Sequence, residues 1–267
     1  MPRLATMDRQ SPLLALIPVA GRPPTATALI PALADRLRPR SGPEPPEPRT
    51  VGGVMDYERP ALPMGVYVDE DGAPIEYGTR WGVNGPPENA YSRTGNLDRF
   101  AGLHTVAYAL IEWLRSAFDV EVESGPQVVP DLLLQPDDPV HSVRLTPNAP
   151  ESAPLTFVLT SFPGVYLHAG VLHDFHFPVC GCDACDDDVR SLANELEWTV
   201  RMVATGHYGE SVGPQTTGWL GYRLEEPGVR ISSGQARTDE VPAERLERAR
   251  HLVPVDGQWR PWPALPG

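Results

Sequence analysis

The chain has 267 residues, 41% of them hydrophobic, which is enough to build a real core. Its formal net charge of −13 argues against a nucleic-acid backbone or an anionic membrane as main partner, since both need a basic footprint. All 22 basic residues are arginine, so there is no Walker A lysine, no Schiff-base lysine and no kinase-type strand lysine, and several large enzyme classes drop out.

Residues 1–54 carry 11 of the 32 prolines, seven arginines and four acids, and end in "RPRSGPEPPEPRT". They read as a disordered Pro/Arg-rich extension. Foldable sequence begins at Met55, which reads as the natural start, with 55–267 as one α+β domain. The longest apolar runs, such as "LLALIPVA" at Leu13 to Ala20, fall far short of the roughly 20 residues that span a bilayer. Prolines and arginines interrupt any secretory signal, so a cytoplasmic protein is expected.

Along the remainder, "GVYVDEDGAPIEYG" predicts a hairpin about Asp71-Gly72, its aspartates being too few for an EF-hand loop. "NLDRFAGLHTVAYALIEWLRSAF" sets Phe100, Leu103, Ala107, Leu110, Leu114 and Phe118 at helical spacing, with Asn96 or Asp98 as N-cap; His104 beside this stripe reads as a packed or surface residue. Strands are predicted at "VEVES", "HSVRLT", "LTFVLTSF" and "VYLHAGVLH", the last two antiparallel across a Pro163-Gly164 turn. From Asp186 the period changes: Val189, Leu192, Leu196, Val200 and Val203 line a second helix that stops at Gly206, with three aspartates at its positive end. The rest predicts strands at "WLGYRLE", "VRISSG" and "GQWRPW" and a short helix at "PAERLERARHL". The expected class is α+β, a mainly antiparallel sheet with two principal helices packed on it.

One stretch points to chemistry. "HDFHFPVCGCDAC", His173 to Cys185, holds all three cysteines of the chain within six positions, a clustering that chance would produce roughly once in a thousand such chains. Cys182 and Cys185 have the C-x-x-C spacing of a redox pair just before a helix, but Asp183, Asp186, Asp187 and Asp188 oppose a thiolate there. A disulfide suits neither an odd count nor a cytosolic protein. As a metal site, Cys180, Cys182 and Cys185 supply three soft ligands from one turn, with Gly181 allowing the backbone to fold, and a histidine would complete a Cys3His zinc set. A dication would also draw the protons off the thiols despite the acids. His173 is the first choice for fourth ligand and His176 the second, with His168, Asp183 and His207 as further alternatives.

The zinc deaminase pattern, H-x-E followed by P-C-x-x-C, is not met, and neither is H-E-x-x-H, so the expected zinc is structural and not catalytic. "GESVG", Gly209 to Gly213, matches the G-x-S-x-G nucleophile elbow in letters only; it follows a helix end and precedes loop-like "PQTTGW", so Ser211 is not read as a nucleophile.

"YSRTGNLDRFAGLHTVAYALIEWL" and "LTFVLTSFPGVYLHAGVLHDFHFPVCGCDAC" resemble an actinobacterial family of unknown function, over about residues 60–260, with "FPVCGCDAC" its most distinctive part. The resemblance implies a start near Met55 and no particular activity. It also favours His173 over His176, because position 176 is not usually histidine in that family. Together these readings describe a cytoplasmic binding or accessory protein with an unidentified protein or small-ligand partner. The alternatives are an uncharacterised hydrolase or other metal-dependent enzyme, and an immunity-type protein.

Overall fold

The computed structural model describes residues 57–63, 65–213 and 218–266; the Pro/Arg-rich extension and Met55 lie outside them. Five strands, β1 (Val120–Ser124), β2 (Pro139–Pro147), β3 (Leu155–Thr160), β4 (Val165–Ala169) and β5 (His173–Phe177), form one antiparallel sheet in chain order. A second antiparallel sheet holds β6 (Tyr208–Val212), β7 (Trp219–Glu226) and β8 (Arg230–Arg237). The helices are α1 (Gly102–Ala117), α2 (Val189–Ala204) and the short α3 (Ala243–Leu252). This is the expected α+β class.

The period-3.6 stripe of α1 is buried as predicted, through Leu103, Ala107, Leu110 and Leu114. Its entry differs: a 3-10 turn, Leu97–Phe100, leads in, and Asn96 does not cap but donates its side-chain amide to the Tyr77 hydroxyl at 2.9 Å. α2 starts on a side-chain cap, since the Asp188 carboxylate accepts from the N–H groups of Arg190 (2.9 Å) and Ser191 (3.0 Å). It closes where Gly206 signals, with the His207 N–H donating to the Met202 carbonyl at 2.8 Å.

β3 is buried along its whole length, and alternation sorts its side chains between two covers. Leu155, Phe157 and Leu159 join α1 and α2 in the main core, together with Leu167 and Ala169 of β4. On the other face Val158 packs with Val129 and Leu132, from the segment between β1 and β2. Fully burying each such Leu, Val or Phe contributes about 1.5–3 kcal/mol, so this central strand anchors the sheet from both sides.

Two predictions fail locally, and a third holds in shortened form. "VYLHAGVLH" is two strands with a turn at 170–172, because Gly170 takes the left-handed conformation (φ 66°) that reverses the chain. "GQWRPW" forms no strand, only a single bridge from Gln258 to Gly209, while Tyr208–Val212, which follows the helix end and has no predicted strand, pairs with β7. The hairpin about Asp71-Gly72 reduces to one bridge, Val68 to Pro74, around a turn in which the Gly72 N–H donates to the Asp69 carbonyl at 3.0 Å.

Candidate metal centre

β5 ends at Phe177, and the chain then turns through Pro178 and Val179 into the cysteines. The three sulfurs, from Cys180, Cys182 and Cys185, all lie within 4.8 Å of one another, with Cys182 Sγ 3.5 Å from Cys185 Sγ. Cys182 is buried, while Cys180 and Cys185 reach the surface. A 3-10 turn, Asp183–Cys185, brings the third sulfur back, and left-handed Asp186 (φ 55°) leads to the Asp188 cap of α2. Gly181 is required by close approach: a Cβ there would lie 2.2 Å from the Phe162 ring, which packs on Phe100.

The turn is strapped to the loop before α1. The Asp183 N–H donates to the Arg93 carbonyl (2.8 Å), and the Asp183 carboxylate accepts from the Gly95 N–H (2.8 Å). The Trp81 indole N–H donates to the Asp183 carbonyl at 3.0 Å. Arg99, only 3% exposed, donates to the Gly181 carbonyl at 3.2 Å while its guanidinium lies 4.3 Å over the Tyr77 ring and 4.1 Å over the Phe100 ring. Neither Arg99 nor Asp183 carries a local sequence signal for this role, since their partners lie 82 and 88 residues away.

The thiols compete for ionisation. Burial pushes Cys182 up, but hydrogen bonds from the neighbouring thiols and from the backbone of Cys185 and Ala184 outweigh it and hold this thiol below its ordinary value. Cys185 is pushed up to about 12 by burial and by its two cysteine neighbours. Asp187 is raised to about 6, chiefly by burial, with Asp186 and Asp188 adding repulsion that Arg99 partly offsets. The cluster thus favours ionisation of Cys182 and opposes that of Cys185. A soft dication would reverse that balance, because its charge favours the thiolate form of every sulfur it binds.

The structure brings the three cysteines together and does not bring His173 to them. Among the described residues, no His, Asp or Glu joins the trio within 4.8 Å, which leaves out His176, His168, Asp183 and His207 as well. The reason is strand geometry. His173 opens β5 and Phe177 ends it, so at about 3.3 Å per residue the straight strand sets the two roughly 13 Å apart before the cysteines begin. His173 does share a face with Ala169, its cross-strand partner, but that face is the core. There its Nδ1 lies 3.1 Å from Glu210 Oε1, and its ring packs edge-on to Tyr222. His176 stacks on Tyr166 with ring centroids 4.4 Å apart, and His168 Nδ1 lies 2.6 Å from Asp174 Oδ1.

Glu210 is the residue that sequence reading passed over. It sits inside the "GESVG" match, where Ser211 is a mid-strand residue opposite Gly221. Glu210 is 1% exposed and accepts four hydrogen bonds: from the N–H groups of Val171 (3.1 Å) and Leu172 (2.8 Å), His173 Nδ1, and the Trp259 indole (2.9 Å). Burial pushes this carboxyl up, but the His173 contact and the Leu172 N–H outweigh it and hold it below the usual range. A Cβ on Gly170 would meet Glu210 Oε2 at 2.2 Å, so the glycine serves both the turn and this carboxylate.

An antiparallel α+β scaffold with a three-thiol turn between the last strand of its five-stranded sheet and α2 defines the class of molecule. The chain matches the family of unknown function DUF6226 over residues 63–266 and belongs to it. No curated protein and no solved structure matches it.

Proposed function

We propose that the chain is a binding or accessory protein in which Cys180, Cys182 and Cys185 hold a zinc ion in a structural role. The observation that carries this reading is the convergence of three sulfurs within 4.8 Å on one turn. All three ligands come from the junction of β5 and α2, so the ion clasps two elements of the scaffold. A side chain from a partner closes the tetrahedron, since a structural site has four protein ligands. A cytoplasmic setting and a protein or small-ligand partner belong to this reading, and the charge of −13 speaks against nucleic acid and anionic membranes as main partners. Metal analysis of the purified protein beside Cys182→Ser tests the site. About one zinc per chain, lost in the variant, is expected; metal-free, folded protein with three titratable thiols would falsify it.

A further inference from the structure

The three-thiol turn offers a metal sulfur donors only, although Asp183, Asp186, Asp187 and Asp188 stand beside it in the chain. Three of these aspartates are committed elsewhere. The Asp183 carboxylate accepts from the Gly95 N–H at 2.8 Å, and one oxygen of Asp186 accepts from the Arg80 N–H at 2.7 Å. Asp188 caps α2. Among the described residues no carboxylate oxygen or imidazole nitrogen joins the three sulfurs within 4.8 Å. Hard oxygen donors are thereby held off the site, and the set that remains suits a soft ion.

The sulfurs are already gathered. The Cys182 N–H donates to Cys180 Sγ at 3.5 Å, and the Arg99 bond to the Gly181 carbonyl fixes the backbone between these two ligands. The 3-10 turn Asp183–Cys185 sets the third. Cys180 and Cys185 are exposed, so an ion can enter from solvent without the core opening. At about 2.3 Å per metal–sulfur bond, three sulfurs stand about 4.0 Å apart around a trigonal ion and about 3.8 Å apart around a tetrahedral one. Both fit a trio that lies within 4.8 Å and has its Cys182–Cys185 pair at 3.5 Å, so spacing does not choose the ion. The number of donors does. A structural zinc takes four protein ligands and an iron–sulfur cluster four thiolates, so the chain alone is one short for either. A cuprous ion, soft and with a filled d shell, is satisfied by three thiolates.

We infer that Cys180, Cys182 and Cys185 form a complete site for a cuprous ion, which the chain alone holds in preference to zinc as long as no partner supplies a fourth ligand. The exchange transfers no electrons. Copper enters as Cu(I), any zinc leaves as Zn(II), and a thiol proton still present passes to water. The preference over zinc rests on the zinc reading above, whereas the copper site stands on the donor set, so zinc content and copper binding can fail independently.

The test is a titration of the full-length protein, under nitrogen, against cuprous bicinchoninate, whose colour fades as copper is withdrawn. About one copper per chain is expected, with release of an equal amount of zinc from protein loaded with zinc beforehand. X-ray absorption at the copper edge should show three sulfur neighbours and no nitrogen or oxygen. Cys180→Ser and Cys185→Ser, both at surface positions, should each weaken copper binding at least about tenfold, since loss of a partner one layer out from a metal already costs that much. No copper withdrawn, a shell containing nitrogen or oxygen, binding unchanged in both variants, or zinc retained in full as copper binds each overturns the inference. Protein that takes up no zinc sinks the zinc reading, and the copper titration then decides the cuprous site by itself.

Discussion

Two sites separated by the length of β5 show opposite ways of handling clustered ionisable groups. At its start, Glu210 gathers four donors from the 170–173 segment and from Trp259. That carboxylate is complete: every bond comes from the protein, and the node welds β6 and the C-terminal segment to the β4–β5 turn. Beyond its end, three sulfurs stand within 4.8 Å of one another, and burial together with the two neighbouring thiols raises Cys185 to about 12. Groups that oppose one another's ionisation leave room for a cation to stabilise them, and groups that satisfy one another do not.

The largest way to break this comparison is Glu210→Ala. It strands the donors of Val171, Leu172, His173 and Trp259 in the core, and a loss of about 3–5 kcal/mol is expected in denaturant unfolding. Zinc content of whatever folds should stay at that of the unaltered protein, because the cysteine turn is strapped elsewhere. Next in size is metal removal. With zinc at about a hundredfold over its Kd, a chelator should cost about 3 kcal/mol of unfolding free energy, and Cys182→Ser protein should show no such response. Equal chelator sensitivity in both proteins would sink the clasp.

The smallest effect is that of acid. Glu210 and Asp174 are both held below their ordinary values, by His173 and His168 respectively, against the opposing push of burial. Their contribution to stability is complete above the unfolded-chain values of about 4, and is lost as pH falls through the lower folded values. A midpoint temperature that declines below about pH 4, with a shallower slope in Glu210→Gln, is the expected result. An unchanged slope in that variant would assign the acid response to other carboxylates.

Much of the scaffold was legible in the chain. The apolar stripes that became α1 and α2, the strand signals of β1 to β4 and the Asp188 end of α2 are local patterns, and the structure keeps them. What misled was also local. "VYLHAGVLH" hides a reversal at Gly170 that only the following strand reveals. "HDFHF" looked like a ligand-bearing approach to the cysteines, yet as β5 it carries His173 into the core beside Tyr222. Tyr208–Val212 had no strand signal strong enough to outweigh its place after a helix, and its pairing with β7 is what makes it β6.

The sequence by itself marked the three-thiol turn, because Cys180, Cys182 and Cys185 lie within six positions around a glycine, and the 3-10 turn at Asp183–Cys185 then brings the sulfurs together. It also determined the helices, whose period is written in consecutive residues. Only the tertiary structure decided the partners of Glu210 and the cross-strand row of Glu123, Arg144, Thr156, His168 and Asp174, whose members are up to 51 positions apart and meet through strand register alone. Local spacing constrains neighbours along the chain; a contact across a sheet depends on how every intervening turn sets the register, and no short window of residues contains that information.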